Sequence, residues 1–184
     1  WRKRVGEEEA NKISNQAATR GTKIHSLTES YLKNEDLEEA YTTTKASLLD
    51  VEMFKKFKPV LDSIGDIHCQ ELALYSDHLR MAGRVDCIAE YNGALAVIDF
   101  KTSIRLKKKE NIGSYFMQCA AYADMFTEMT SIPITQVIVL IGVDTANFCQ
   151  TLKIGGDELN IHRNNLQTYI DKYYAKAVPI DSEL

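Results

Sequence analysis

Asn92-Gly93 constrains this chain more than any other feature of its sequence. A two-residue hairpin turn of type I′ needs positive φ at both central positions, and Asn-Gly adopts that conformation at low steric cost. Strand-like apolar runs over 79–91 and 94–102 flank it, so the turn fixes their register. Tyr91 then pairs with Ala94, Glu90 with Leu95, Ile88 with Val97 and Asp86 with Asp99. Without a bulge, the two aspartates are direct cross-strand neighbours with Cβ atoms about 4.5–5.5 Å apart. Lys101, two residues beyond Asp99, shares their face and stands opposite Arg84.

Like charges facing each other on a sheet are destabilising unless something compensates, and a divalent cation bridging both carboxylates is the economical candidate. Acidic pairs on a solvated hairpin face are common. Here, however, Ala94-Leu95-Ala96-Val97-Ile98 runs directly into Asp99, and Val85 and Cys87-Ile88-Ala89 enclose Asp86. A carboxylate in such an apolar strand is costly to bury, so the pair reads as a site.

The remaining elements fall around this hairpin. Helical spacing runs over 7–32 through Ile13, Ala17, Ile24, Leu27 and Tyr31, with Gly21 expected to interrupt it. Positions 34–50 read as loop and short helix, and 51–64 as a second helix that Pro59 kinks or breaks. A strand over 66–75 precedes the hairpin. A helix over 111–129, strands over 134–143 and 147–154, and a helix over 157–177 follow it. This order predicts an α/β fold with a mixed sheet covered by helices. It reads as one domain over 1–184: an N-terminal helical region over 1–64, a core over 65–143, and a closing strand and helix over 144–184. With 184 residues the chain is long enough for a sizeable core.

No apolar run approaches the ~20 residues needed to span a bilayer, so no membrane association is expected. Cys69, Cys87, Cys119 and Cys149 are scattered and form no CxxC pair, which suits free, buried thiols in a reducing compartment. The chain opens on Trp1, not Met, so a processed form or a fragment is expected.

Gly83-Arg84-Val85-Asp86, followed after the hairpin by Ile98-Asp99-Phe100-Lys101-Thr102-Ser103, resembles the PD-(D/E)xK nuclease signature. Arg20-Gly21-Thr22-Lys23-Ile24-His25 and Gln118-Cys119-Ala120-Ala121-Tyr122-Ala123 resemble two helical motifs of its RecB-like exonuclease branch. The mitochondrial genome-maintenance exonucleases, with their phage and bacterial relatives, are the subgroup to which these runs are most similar. The resemblance extends from about Asn11 to Val143. It implies a restriction-endonuclease-like sandwich, with a central mixed sheet and antiparallel meander flanked by helices.

The resemblance also implies chemistry: a Mg²⁺- or Mn²⁺-dependent exonuclease acting on single-stranded DNA or strand ends and leaving a 5′-phosphate. Its setting would be DNA repair, recombination or replication. Asp86 and Asp99 would be core metal ligands, joined by the backbone carbonyl of Phe100 and by His25, while Lys101 assists the attacking water. His25 with Glu29 also reads as a plain i, i+4 pair on a helix. Glu71, placed opposite Arg84 by a turn centred on Asp77-His78, reads equally as a ligand, a supporting acid or an ion-pair partner. Gln118 and Tyr122 would hydrogen-bond Lys101 or the scissile phosphate. Some RecB-like nucleases hold an iron–sulfur cluster on clustered cysteines. The scattered cysteines here do not match, and no cluster is expected.

A net charge of −4, from 22 basic and 26 acidic residues, argues at first sight against nucleic acid. Positions 35–52, however, hold six acids and one lysine, a net of −5, which leaves +1 for the rest of the chain. From Asp99 to Lys109 five basic residues meet one acid, +4 locally. Arg20, Ser103, Arg105, Lys107, Lys108 and Lys109 are therefore candidate DNA contacts, with Trp1-Arg2-Lys3-Arg4 as a second basic patch that could stack on a base. The rival readings are a catalytically idle DNA-end-binding module on the same fold and a sequence-specific endonuclease. The resemblance implies an intracellular setting, the cytoplasm of a bacterium or an infected host, with the mitochondrion left open. Oligomeric state is not legible.

Overall fold

The protein, represented here by a computed structural model, is described over residues 2–177; Trp1, the candidate stacking residue, lies outside them. Helices Arg2–Val5 (α1), Glu7–Leu32 (α2), Leu37–Thr43 (α3) and Leu48–Leu61 (α4) come first. Strands Ile64–Ser76 (β1), Met81–Tyr91 (β2) and Ala94–Ser103 (β3) follow, then helix Gly113–Thr130 (α5). Strands Gln136–Val143 (β4) and Cys149–Gly155 (β5) and helix Gly156–Ala177 (α6) complete the order. The strands form one five-stranded mixed sheet in the order β1-β2-β3-β4-β5, flanked by helices. No helix among the described residues is long and apolar enough to cross a membrane.

The expected hairpin is present. Asn92 and Gly93 have φ of 51° and 77°, and β2 pairs antiparallel with β3 from Tyr91↔Ala94 to Cys87↔Ile98. Gln136, only 4% exposed, braces the mouth of the turn: its Nε2 donates to the Tyr91 carbonyl at 2.8 Å and the Ala94 carbonyl at 2.7 Å.

Three local expectations need correction. Gly21 does not interrupt α2, since one glycine costs a 26-residue helix only about 1 kcal/mol. Pro59 does not break α4, because it sits in the last turn, where its missing N–H removes a single bond. The β1–β2 turn spans four residues, 77–80, not a two-residue turn at Asp77-His78. The Glu128 carboxylate organises it, accepting from the Ser76 hydroxyl and from the backbone N–H groups of Asp77 at 3.0 Å and His78 at 3.4 Å. That contact crosses 51 residues of chain for Asp77 and lies outside local turn chemistry.

The chain divides into two compact units interleaved along the sequence. The first comprises 1–64, 100–107 and 140–151. There Ile24 and Leu27 of α2 and Phe54 and Phe57 of α4 are fully buried. Ser47 and Asp50 start α4 with a reciprocal capping box, and Lys23 pairs with Asp50 at 3.0 Å. Gly142 lets α4 lie against β4, for an added Cβ would fall 2.4 Å from Phe57 and 2.5 Å from the Met53 sulfur. Arg20 of α2 grips both oxygens of Asp144, just past β4. The second unit comprises 65–99, 108–139 and 152–184, with a core of Val85, Ile88, Ile98, Phe116, Met125 and Val137.

The Arg20–Asp144 pair makes stability pH-dependent. The Arg20 hydrogen bond holds the Asp144 carboxyl below its ordinary value. A group whose pKa is lower in the folded state contributes stability above its unfolded pKa and loses it as pH falls through the folded one. Asp144→Asn should therefore lower the urea midpoint at pH 7, with a smaller deficit at about pH 3, below the ordinary carboxylate value. An equal deficit at both pH values would rule out the ionised pair as the cause.

Candidate active site

The second unit holds the acids. Asp99, on an apolar stretch of β3, is 2% exposed, whereas Asp86 on β2 and Glu71 on β1 are half-buried. Side-chain oxygens of Glu71 and Asp86 lie within 4.8 Å of each other. The four-residue β1–β2 turn accounts for this by moving the expected partner of Glu71 two residues along β2, from Arg84 to Asp86. Cys69 agrees, since its thiol bonds the backbone of Ile88. Glu71 also has φ of 49°, a left-handed conformation that a glutamate in mid-strand rarely adopts. Such a residue marks a local irregularity that re-aims a side chain, and such sites gather around functional centres. Nothing in the local sequence announces it.

Tyr122 and Gln118 of α5 stand one helical turn apart, and the Gln118 Nε2 donates to the Tyr122 Oη at 3.0 Å. The tyrosine ring rests directly on Gly83: a Cβ there would meet its Cε1 at 2.7 Å. The glycine before Arg84-Val85-Asp86 thus gives the aromatic ring its seat on β2. Its signal was available, because glycine inside a strand often marks a close approach by another group.

The first unit holds the rest. The His25 Nε2 lies 2.6 Å from the backbone carbonyl of Phe100, the residue peptide-bonded to Asp99, and the two rings meet edge-on. Lys101 is half-buried. The Ser103 hydroxyl donates to the Arg105 carbonyl at 2.8 Å, shaping the exit from β3. Arg105, Lys107 and Lys108 are exposed, while Lys109, in the second unit, pairs with Glu158 at 2.8 Å. Arg20 is engaged with Asp144. All four cysteines are free thiols, with Cys69 half-buried and the others buried. Burial pushes Cys87 and Cys149 up to about 12, so neither carries a reactive thiolate at neutral pH.

Carboxylates on neighbouring strands, one fully buried, with a lysine two residues on, form a hard-oxygen donor set suited to a divalent cation. Comparison with known proteins points the same way. The family model of the PD-(D/E)XK nuclease superfamily matches residues 2–176. Mitochondrial genome maintenance exonuclease 1 of Homo sapiens is 30% identical over 129 residues, covering 66% of this chain and 36% of that protein. Its Mus musculus counterpart is 42% identical over 48 residues, covering 26% and 14%. The chain thus spans about a third of the human relative or less. A candidate exonuclease of Eubacterium rectale shares the fold, with a TM-score of 0.57 at 12% identity, over 87% of this chain and 69% of that one.

The Gly83–Tyr122 seat is testable by a double-mutant cycle. Gly83→Ala should cost about 1–3 kcal/mol of stability by overpacking, and that cost should largely vanish in a Tyr122→Ala background. Additive losses in urea titrations would show that the ring is not what excludes a side chain.

Proposed function

This chain belongs to the PD-(D/E)XK nuclease superfamily, and from that premise we propose that it is a divalent-metal-dependent DNA exonuclease. In this reading it acts on single-stranded DNA or strand ends, leaving a 5′-phosphate and a 3′-hydroxyl. One observation carries the reading: a fully buried Asp99 lies two residues before Lys101, on a strand whose observed register runs toward Asp86. One further step of that register sets Asp86 opposite Asp99.

The residues fit a divalent ion. Oxygens within 4.8 Å of each other suit one cation with metal–oxygen bonds of about 2.1–2.4 Å. We assign Asp86, Asp99 and the Phe100 carbonyl as ligands, with Glu71 and His25 completing the set. Ligation through the His25 Nε2 requires the proton on Nδ1. Oxygen donors with one imidazole suit Mn²⁺ as well as Mg²⁺. Such an ion, when bound, neutralises charge on the phosphate oxygens and makes a neighbouring water more acidic.

Lys101 does the remaining work on the water. In this reading its side chain donates to the attacking oxygen and fixes its line toward phosphorus. Gln118 and Tyr122, already bonded to each other, would hydrogen-bond Lys101 or the scissile phosphate. Arg105, Lys107 and Lys108 offer exposed charge to phosphates, and Ser103 shapes the loop that presents them. Arg20 and Lys109 would join by exchanging Asp144 and Glu158 for phosphate oxygens.

Labelled linear single-stranded DNA should be degraded with Mg²⁺ or Mn²⁺ and not with EDTA, and a circular strand should survive. Cutting of the circle would identify an endonuclease, and binding without metal-dependent product an idle end-binding module. Lys101→Ala should keep binding but lose about 10²–10⁴-fold in turnover, and a near-native rate would remove Lys101 from this role. Asp86→Asn should raise stability in EDTA by up to about 1 kcal/mol through relief of like-charge repulsion. It should also blunt any thermal shift on adding metal. A clear loss of stability in EDTA would contradict the crowding of acids.

A further inference from the structure

Helix α6 carries a pattern that the proposed chemistry leaves unused. Tyr169, Lys172, Tyr173 and Lys176 follow the i, i+3, i+4, i+7 spacing of a single helix face. Tyr169 is 62% exposed and Tyr173 67%, unusual for rings whose burial is strongly favourable. With Arg80 and Tyr174 they line a cleft of about 700 Å³ within the second unit. Among the described residues its lining holds three cations and no carboxylate. Asp171 is absent from that lining and is held by the Gln167 amide at 2.8 Å. The Arg80 guanidinium lies 3.5 Å from the Tyr174 ring centroid, and the Tyr174 hydroxyl donates to the Arg80 carbonyl at 2.6 Å.

The cleft adjoins a second one that reaches Gln118 and Tyr122. Met81, Leu166 and Tyr169 line both, and the second has a volume of about 280 Å³. The Gln118–Tyr122 pair and the exposed tyrosines of α6 thus face neighbouring clefts of the second unit.

We infer that these clefts form a track for single-stranded nucleic acid running outward from the active site, with bases stacked on Tyr169 and Tyr173. Arg80, Lys172 and Lys176 meet the phosphates. The inference rests on the nuclease reading above. Exposed aromatic faces alternating with cations are the combination that binds a strand without reading its sequence. The two tyrosines are one helical turn apart, about 6 Å along the axis. The uniformly positive lining favours a polyanion over a protein partner.

Substrate length provides the test. Met81 lies five residues before Asp86 on β2, about 17 Å along the strand. A helical strand rises about 3.4 Å per nucleotide and an extended one roughly twice that, so a strand reaches the track about three to five nucleotides beyond the site. Oligothymidylates of about 2 and about 16 nucleotides separate the two regions. Binding is read by fluorescence anisotropy in EDTA, and hydrolysis with Mn²⁺.

Tyr169→Ala with Tyr173→Ala should weaken binding of the longer strand by about 5- to 150-fold per ring removed and leave hydrolysis of the shorter unchanged. Phe at both positions should restore binding, because the ring stacks and the hydroxyl does not. Lys172→Ala with Lys176→Ala should flatten the slope of log affinity against log salt by about 1.4. Unchanged affinity for the longer strand in the Ala pair would overturn the track, as would equal losses at both lengths. Loss of self-association with DNA binding intact would give the face to a second copy instead. A native chain that binds the longer strand through these tyrosines but hydrolyses nothing would sink the nuclease reading and leave the track. Hydrolysis with no effect of the tyrosines would do the reverse.

Discussion

Everything at the candidate site depends on carboxylates being held close together on buried strands. A buried carboxylate is costly, and two side by side more so, and an apolar hairpin is an unfavourable place for either. The structure meets that cost with rigidity. Asn92-Gly93 sets the register, Gln136 ties the turn to the start of β4, and Ile88, Val97 and Ile98 are fully buried around it. In the proposed site a looser hairpin would let the like charges drift apart, and the donor set would be lost with the strain.

The same economy explains the supporting residues. Gly83 is small so that the Tyr122 ring can sit on β2, and that ring holds Gln118. Gly142 is small so that Phe57 and Met53 can press on β4. In both places a missing side chain brings a helix onto a strand, which is what positions α5 near the Asp86 end of β2 and packs α4 in the first unit. The Phe100 carbonyl, held by His25, is one peptide bond from Asp99. A backbone atom so placed cannot drift independently of the carboxylate that precedes it.

Much of this was legible in the residues, for identifiable reasons. The hairpin register follows from two positive-φ residues between apolar runs, and it holds pair by pair as far as Cys87↔Ile98. Helix α2 emerged with the expected limits because its apolar spacing is long and regular. The failures that bear on the site share one cause, which is contact over distance. Glu128 organises a turn 50 residues away and thereby moves the partner of Glu71 from Arg84 toward Asp86. The left-handed backbone at Glu71 is likewise imposed by its surroundings, for glutamate has no intrinsic leaning to it. The tyrosine stripe of α6 was present in the sequence, but its exposure could be learned only from the packing of the helix.

Charge illustrates the same separation of scales. The chain is acidic overall, yet electrostatic influence at physiological salt fades beyond about 8 Å, so a ligand responds to the local sign. The acids of 35–52 belong to the first unit, within or just before α3 and within α4, and one of them, Asp50, is occupied in capping α4 and pairing Lys23. Around the exit from β3, and among the described residues that line the α6 cleft, the local surplus is positive. Several of these cations already hold a carboxylate or a ring: Arg20 holds Asp144, Lys109 holds Glu158 and Arg80 lies on Tyr174. Pre-positioned cations lose less side-chain entropy when a phosphate replaces their partner than free lysines would on first being ordered. In the proposed reading the internal ion pairs would serve binding as well as stability, because they keep the charges in place until a strand displaces the carboxylates.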